Sequence, residues 1–203
     1  DDFIAAAENV GVPRRDDFNG AVQEGVGYFQ TTIDRGRRCS TARAFLHPEK
    51  GRKNLKVITG AHIEKILFDG RRATGVRFRQ GNQVLEAGAS GEVILSAGAI
   101  GSPQILELSG VGAGQELQAL GLSCVHDLAG VGENLQDHMQ VRSVYKTTRP
   151  MTLNNAVHSL FGKAWIGIQY LVGRSGPMAM AASHVSAFPR TTPAVASPDI
   201  QFH

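Results

Sequence analysis

The chain has 203 residues, 42% of them hydrophobic, and a formal net charge of +3. This is an ordinary composition for a globular protein with one core or two small ones. The scattered basic residues and the 6% aromatic content argue against a nucleic-acid-binding protein. No apolar run approaches the roughly 18 residues that a transmembrane helix needs. Cys39 and Cys124 lie far apart without a metal-ligand spacing, which predicts free thiols, a reducing compartment and no metal site.

The first 48 residues alternate between helical and loop signals. Asp2–Asn9 has a helical apolar pattern that Gly11 and Pro13 end, and the Gly- and Asp-rich Arg14–Gly36 predicts an ordered loop. Ser40 is a suitable N-cap for a short helix, Thr41–Leu46. The chain begins without Met and ends within a strand-like segment, so we expect it to be an internal piece of a longer protein.

Several β signals follow. Leu55–Thr59 predicts one strand. Ala61–Phe68, Ala73–Phe78 and Gln83–Ala87 alternate in polarity and predict a three-stranded antiparallel meander, with Asp69-Gly70 in its first turn.

The most informative segment is residues 91–112. Val93–Ser96 ends an apolar run typical of a buried central strand, and Ala97–Gly101 consists of small residues except Ile100. Ser102 fits an N-cap and Pro103 the first helical position, so we expect a helix that starts near Pro103. A strand that leads through a turn of small residues into a helix can present backbone N–H groups to a phosphate-bearing cofactor. The alternative is a close-packed junction without a ligand.

The remaining residues carry weaker patterns. Gln115–Leu120 predicts a short helix, and residues 121–126 a strand-like return. Beyond Asp137 the pattern predicts strands at Val141–Lys146, Ser183–Phe188 and Ile200–Phe202, and a helix over Leu160–Gly173.

Three blocks together carry a family resemblance. The spacing of small residues, Ser-Pro and Ser-Gly-Val-Gly over residues 98–112 resembles a signature of the glucose–methanol–choline (GMC) oxidoreductases. Gly130–His138 (GVGENLQDH) is similar to the next landmark of that family. Asp17–Leu46 resembles its choline-dehydrogenase-like and alcohol-dehydrogenase-like branch.

The resemblance implies an α/β (α+β) fold. Residues 1–140 would be part of an FAD-binding Rossmann-type domain with an antiparallel meander, and residues 141–203 the start of an antiparallel-sheet substrate domain. The sequence contains no G-x-G-x-x-G, and Gly110–Gly114 and Gly130–Leu135 both fail that spacing. The main diphosphate-binding turn is therefore expected upstream of this chain.

The resemblance also implies the cofactor-binding residues. The turn before and within the signature helix would lie against FAD, and a backbone contact at Ile63 would bond the adenine; Ile63 as a plain core residue is the alternative. The predicted cofactor-binding residues are Ile63, Ser96, Ala97, Gly98, Ala99 and Ser102.

No catalytic residue is predicted within the chain. The family's base is a histidine in a C-terminal motif that this sequence lacks. Asp137 and His138 are adjacent and cannot face each other as a dyad, and the other histidines have no ligand spacing. Arg37 or Arg38 is a candidate for bonding backbone carbonyls or a loop carboxylate, with structural ion pairing as the alternative.

The resemblance therefore predicts part of an FAD-dependent enzyme that oxidises a primary alcohol, choline-like or aliphatic/aromatic, to an aldehyde by hydride transfer to flavin. The electron acceptor would be a quinone or oxygen, and the location cytoplasmic or peripheral at the inner face of a membrane. Two alternatives stay open here: a hydroxynitrile lyase on the same fold, against which the dehydrogenase-like Asn19–Gln30 argues, and a non-enzymatic α/β binding module.

Overall fold

The computed structural model describes residues 1–148 and 152–203 as a mixed set of helices and mainly antiparallel strands. A short π-helical turn at Ala42–Leu46 and a 3₁₀ turn at Pro177–Ala179 accompany the main elements. In chain order these are α1 (Asp2–Asn9), β1 (Gly25–Tyr28), β2 (Ile33–Asp34), β3 (Arg37–Arg38), β4 (Ala61–Asp69), β5 (Arg72–Gln80), β6 (Gln83–Gly88), α2 (Gly98–Leu108), β7 (Val111–Gly112), α3 (Gly114–Ala119), β8 (His126–Asp127), α4 (Leu153–Val157), α5 (Leu160–Gly173) and β9 (Val185–Phe188).

The chain forms two compact units. We call residues 54–143 the inner unit because they lie between the two segments of the other unit in the sequence. The outer unit combines those segments, residues 1–53 and 144–203. Which residues bind cofactor and which bind substrate is a separate question, so the division predicted at residue 140 stays a prediction.

The inner unit is built on the meander β4-β5-β6. The first turn runs from Asp69 to Arg72, which pair with each other, through Gly70 and Arg71, and Gly70 has a φ of +56° that suits glycine. The strand β4 pairs with β5 in a register that shifts between Ile63 and Lys65 and again between Leu67 and Phe68. Helix α2 packs on this sheet.

Apolar side chains from the sheet and the following helices form the core of the inner unit. Its buried residues come from β4, β5, α2, β7 and α3: Ile66, Phe78, Ile105, Val111 and Leu117. Beyond α2, β7 pairs in parallel with β8, which brings Val111 opposite His126. The Asp127 carboxylate then accepts a hydrogen bond of 3.0 Å from the Gly114 N–H and so caps α3.

The outer unit is held by a strand pair that joins its two segments. β1 pairs antiparallel with β9, and Gly25 lies opposite Phe188. Ile4, Val26 and Ala187 are buried between α1 and these strands. A second cluster of three aromatic rings packs edge to face nearby: Phe18, Phe29 and Phe188.

A hairpin and a helix complete the outer unit. β2 and β3 pair through a tight turn in which Arg35 and Gly36 both have positive φ. A Cβ on Gly36 would lie 2.3 Å from the carbonyl oxygen of Arg174, so the hairpin packs against the end of α5. Helix α5 is capped by Ser159, whose hydroxyl accepts from the Gly162 N–H, and it has no buried residue.

The local sequence signals correctly predicted many of these elements. The helices at Asp2–Asn9 and Leu160–Gly173 and the meander are confirmed, and residues 185–188 of the predicted Ser183–Phe188 strand are extended and paired. The short helix is a π-helical turn with Thr41 as its N-cap, one residue later than predicted, although the Ser40 hydroxyl accepts from the Arg43 N–H. Among the described residues, no helix combines the length and apolar character needed to cross a bilayer.

Three strand predictions are wrong, and a fourth, Ile200–Phe202, is met only by an isolated bridge between Phe202 and Ala187. Leu55–Thr59, Val93–Ser96 and Val141–Lys146 are assigned to no strand. A strand exists only as a hydrogen-bonded ladder, and the described residues supply no neighbour for these segments. Val57 and Ile94 consequently stay 57% and 78% exposed despite their strand-like sequence.

Candidate functional site

The turn of small residues leads into α2, as the signature predicts, but the helix starts earlier than expected. It begins at Gly98 with Ala97 as N-cap, and Pro103 lies inside it. Ser102 is therefore not the N-cap. Its hydroxyl accepts a hydrogen bond of 3.0 Å from the Ala97 N–H, so it folds back over the first turn that it follows. Pro103 lacks an N–H and cannot bond the Ala99 carbonyl in the helical manner.

The first turn of α2 is open to solvent. Ala97, Gly98 and Ala99 are exposed, and the turn contains no acidic side chain. Gly98 has a φ of +86°, and a Cβ placed there would meet nothing within 4 Å. The first N–H groups of a helix lack helical partners and carry a partial positive charge, which favours an anion by up to about 1 kcal/mol.

A second segment of the sequence lies against this turn. A cleft of about 400 Å³ is lined on one side by Ala99 and Pro103 and on the other by residues 132–136. These two walls are the first and second blocks of the family signature. Gly130–Leu135 does not have the spacing of a phosphate loop, and no pattern in its residues predicts that it lies beside the first turn of α2. The shared family resemblance of the two blocks was the signal that pointed to it.

Glycines shape the junction behind the cleft. Gly132 has a φ of +84°, and a Cβ on it would lie 2.8 Å from a carboxylate oxygen of Glu107 on α2. Gly110 has a φ of +86°, and its carbonyl oxygen accepts from the N–H groups of Val125 and His126. The Ser-Gly-Val-Gly that follows α2 is thus part of a paired strand, β7, rather than only a helix stop.

Ile63 lies on β4, an edge strand of the described three-stranded sheet. It is half-buried and opposite Phe78, directly before one of the two register shifts. Both predicted cofactor-binding segments therefore belong to the inner unit, on elements that contact each other, α2 and β4. Ser96 is exposed in the unpaired segment before the turn.

An ion-pair cluster joins β4 to β5 next to Ile63. The Arg79 guanidinium donates to the Glu64 carboxylate, and Arg77 Nε lies 3.3 Å from its second oxygen. The hydrogen bond from Arg79, followed by the positive charges of Arg79 and Arg77, lowers the pKa of Glu64 below its ordinary value.

The remaining candidates do not converge on a site. Asp137 and His138 are exposed, and the Asp137 carboxylate accepts the neighbouring backbone N–H of His138. Arg37 and Arg38 are exposed on β3. Within residues 1–148 and 152–203, no group of three His, Cys, Asp or Glu side chains is placed to hold a metal ion.

The residues present fit the phosphate-bearing tail of a flavin dinucleotide. Exposed helix N–H groups, a glycine without an obstructing Cβ and an adjoining cleft give such a group donors and space. The first turn of α2 brings no acidic side chain, whereas the opposite side of the cleft carries one carboxylate, Glu133.

Comparison with known proteins shows which family the chain resembles. The family model for GMC oxidoreductases matches residues 1–140. The chain is 44% identical over 201 residues to human mitochondrial choline dehydrogenase, covering 99% of this chain and 34% of that protein. It is 41% identical over 204 residues to an alcohol dehydrogenase (acceptor) from Pseudomonas putida, covering 99% and 37%.

The fold comparison gives the same result. An FAD-dependent oxidoreductase from Chaetomium thermophilum superposes with a TM-score of 0.82 at 28% identity, over 92% of this chain and 33% of that one. The chain thus spans about a third of the length of the relatives it matches. These comparisons give no support to a hydroxynitrile lyase or a non-enzymatic module. The chain belongs to the GMC oxidoreductase family.

Proposed function

We propose that this chain forms part of an FAD-dependent oxidoreductase that oxidises a primary alcohol to an aldehyde. A choline-like alcohol is the first candidate substrate, because the relatives include a choline dehydrogenase, and an aliphatic or aromatic alcohol is the second. The observation that carries the proposal is the cleft in which the first turn of α2 meets residues 132–136.

In this proposal the chain supplies a wall of the cofactor site. The N–H groups at the start of α2 and the space at Gly98 receive the charged tail of FAD, with Ser96, Ala97, Ala99 and Ser102 around it. The edge of β4 at Ile63 receives the adenine through its backbone. Bound FAD supplies the hydride acceptor for alcohol oxidation. The base that takes the alcohol proton lies outside the residues of this chain.

The proposal extends to the acceptor and the location. A quinone or oxygen reoxidises the flavin, and the enzyme is cytoplasmic or peripheral at the inner face of a membrane. The acceptor is measured directly by comparing turnover with a soluble quinone and with dissolved oxygen.

The protein encoded by the complete reading frame tests the reaction. The purified protein should carry a flavin absorption spectrum, and anaerobic addition of choline, a linear primary alcohol or benzyl alcohol should bleach it. Formation of the matching aldehyde should equal the flavin reduced. A colourless protein that takes up no added FAD, or a flavoprotein that none of these alcohols reduces, would overturn the proposal.

A substitution at Ala99 tests the carrying observation. Ala99→Leu adds three heavy atoms to the wall of the cleft, and overpacking of that kind costs about 1–3 kcal/mol. Expressed as cofactor binding, about 1.4 kcal/mol is a tenfold loss of FAD affinity. Gln118→Leu, on the exposed side of α3, is the matched control and should leave FAD affinity unchanged. Flavin fluorescence during titration of the apoprotein measures both, and equal affinities would remove Ala99 from the site.

A further inference from the structure

A buried serine links the two elements that carry the proposed cofactor contacts, α2 and β4. Ser109 follows the last residue of α2 and is 7% exposed. Its hydroxyl donates to the carbonyl of Ile105, one turn back in the same helix, and accepts a hydrogen bond of 2.8 Å from the N–H of Ile66 on β4. One oxygen atom therefore joins the end of α2 to the middle of β4.

The hydroxyl is satisfied in both directions. Because its proton is directed to the Ile105 carbonyl, a lone pair remains for the Ile66 N–H, and both residues are buried. β4 changes register against β5 on each side of Ile66, between Ile63 and Lys65 and between Leu67 and Phe68. Ser109 thus binds β4 at Ile66, where the pairing of β4 with β5 is interrupted by a register shift on either side.

The Ser109–Ile66 hydrogen bond lies at a similar distance from the two proposed cofactor contacts, at Ile63 on β4 and at the turn that ends with Ser102. Ile63 is three residues from Ile66 along β4, roughly 10 Å at strand spacing. Ser102 is seven residues from Ser109 along α2, again about 10 Å at helical rise. A shift of α2 against β4 at Ser109 therefore changes the separation between the adenine edge and the turn that receives the charged tail.

We propose that Ser109 is a positioning residue for FAD: its hydroxyl sets the placement of α2 on β4 and thereby the distance between the two halves of the cofactor wall. The inference rests on the proposed function, because it assumes that Ile63 and the Ala97–Ser102 turn contact one FAD molecule. Ser109 itself touches no cofactor in this scheme.

The experiment uses the protein from the complete reading frame and compares Ser109→Ala, Ser109→Thr and Leu117→Val. Ser109→Ala leaves the Ile66 N–H without a partner, while Ser109→Thr keeps a hydroxyl. Leu117→Val is the control for stability alone, because Leu117 is 2% exposed in α3 and has no part in the β4–α2 link. FAD titration, visible circular dichroism of bound flavin and hydrogen exchange of a 61–69 peptide are the readouts.

We expect Ser109→Ala to lower FAD affinity about tenfold, to change the flavin dichroism and to speed exchange at 61–69. Ser109→Thr should stay within about threefold of the unmodified affinity, and Leu117→Val should keep affinity and dichroism. If Ser109→Ala fails to fold, Ser109→Cys takes its place, since a thiol is a weak donor and acceptor.

Two failures are distinguishable. If the unmodified protein binds no FAD, the proposed function fails and this inference fails with it. If the unmodified protein binds FAD and Ser109→Ala matches its affinity and dichroism, or Leu117→Val loses as much, only the positioning role is overturned.

Discussion

Three glycines of the inner unit share a backbone conformation but differ in what surrounds them. Gly110, Gly121 and Gly132 have φ values of +86°, +75° and +84°. A Cβ at Gly121 would meet nothing within 4 Å, at Gly132 it would meet a Glu107 carboxylate oxygen at 2.8 Å, and at Gly110 the backbone oxygen of Ser123 at 2.3 Å. Alanine therefore imposes the same backbone strain at all three positions, but its Cβ meets open space at Gly121, a movable side chain at Gly132 and a fixed carbonyl at Gly110.

The magnitudes follow from those contacts. The left-handed conformation costs a non-glycine residue about 1–2 kcal/mol, and the stiffer unfolded chain returns about 0.4–1 kcal/mol. Gly121→Ala should thus lower the free energy of unfolding by up to about 1.6 kcal/mol. Gly132→Ala should cost about 1–2 kcal/mol because the tip of Glu107 can rotate away. Gly110→Ala should add an overpacking cost of about 1–3 kcal/mol, since the Ser123 carbonyl is next to the β7–β8 pair.

The choice of assay depends on where the chromophores lie. Trp165 and all three tyrosines, Tyr28, Tyr145 and Tyr170, belong to the outer unit, so intrinsic fluorescence does not report on the inner one. Amide hydrogen exchange of peptides from 61–80 and 111–127, measured against urea, gives the free energy of opening instead. Equal costs for Gly110→Ala and Gly121→Ala would refute the steric argument, and three neutral substitutions would refute the strain argument.

Three further predictions concern ionisation, core packing and cofactor retention. Because the folded pKa of Glu64 is lowered, the contribution of its carboxylate to stability is present above the ordinary glutamate pKa and is lost as pH falls through the lowered pKa. Glu64→Gln should therefore be less stable than the unmodified chain at pH 7 and equal to it at strongly acid pH. Urea-dependent hydrogen exchange measures both. Val26→Ala removes two carbons from a fully buried site and should lower the stability of the outer unit by about 2 kcal/mol, followed by Trp165 fluorescence in urea; an unshifted midpoint would contradict that packing. Residues 1–203 alone should bind FAD weakly or not at all in equilibrium dialysis. An open cleft without a G-x-G-x-x-G turn gives little to offset the several kcal/mol that association costs. A tight stoichiometric complex would contradict this prediction.

Sequence reasoning succeeded where the determining forces are local. The periodicities of Asp2–Asn9 and Leu160–Gly173 fix helices, and Asp69-Gly70 between alternating runs fixes a hairpin. It failed where a partner decides the outcome. Val93–Ser96 has the composition of a central strand, but no strand among the described residues pairs with it. The start of α2 was misplaced because Ser102 and Pro103 match a helix start, whereas the Gly98 backbone begins the helix five residues earlier.

Only half of the candidate site can be predicted from the sequence, for the same reason. The small-residue turn can be read from consecutive positions, and the structure places it at the exposed start of a helix. Residues 132–136 line the other side of the cleft because of the path that residues 109–131 take in the fold. Local sequence patterns do not predict that path. The Ser109–Ile66 hydrogen bond spans 43 positions and carries no sequence pattern of its own.

The pairing of β1 with β9 also determines the order in which the chain can fold. Gly25 and Phe188 are about 160 residues apart, and the whole inner unit lies between them. During synthesis, residues 54–143 leave the ribosome before β9 exists, so the inner unit can fold while residues 1–53 still lack their partner strand. Once formed, the inner unit shortens the flexible loop that the β1–β9 pair must close and lowers the entropy cost of closure. A nascent chain stopped before Val185 should therefore protect the inner unit from protease and leave residues 1–53 open to cleavage.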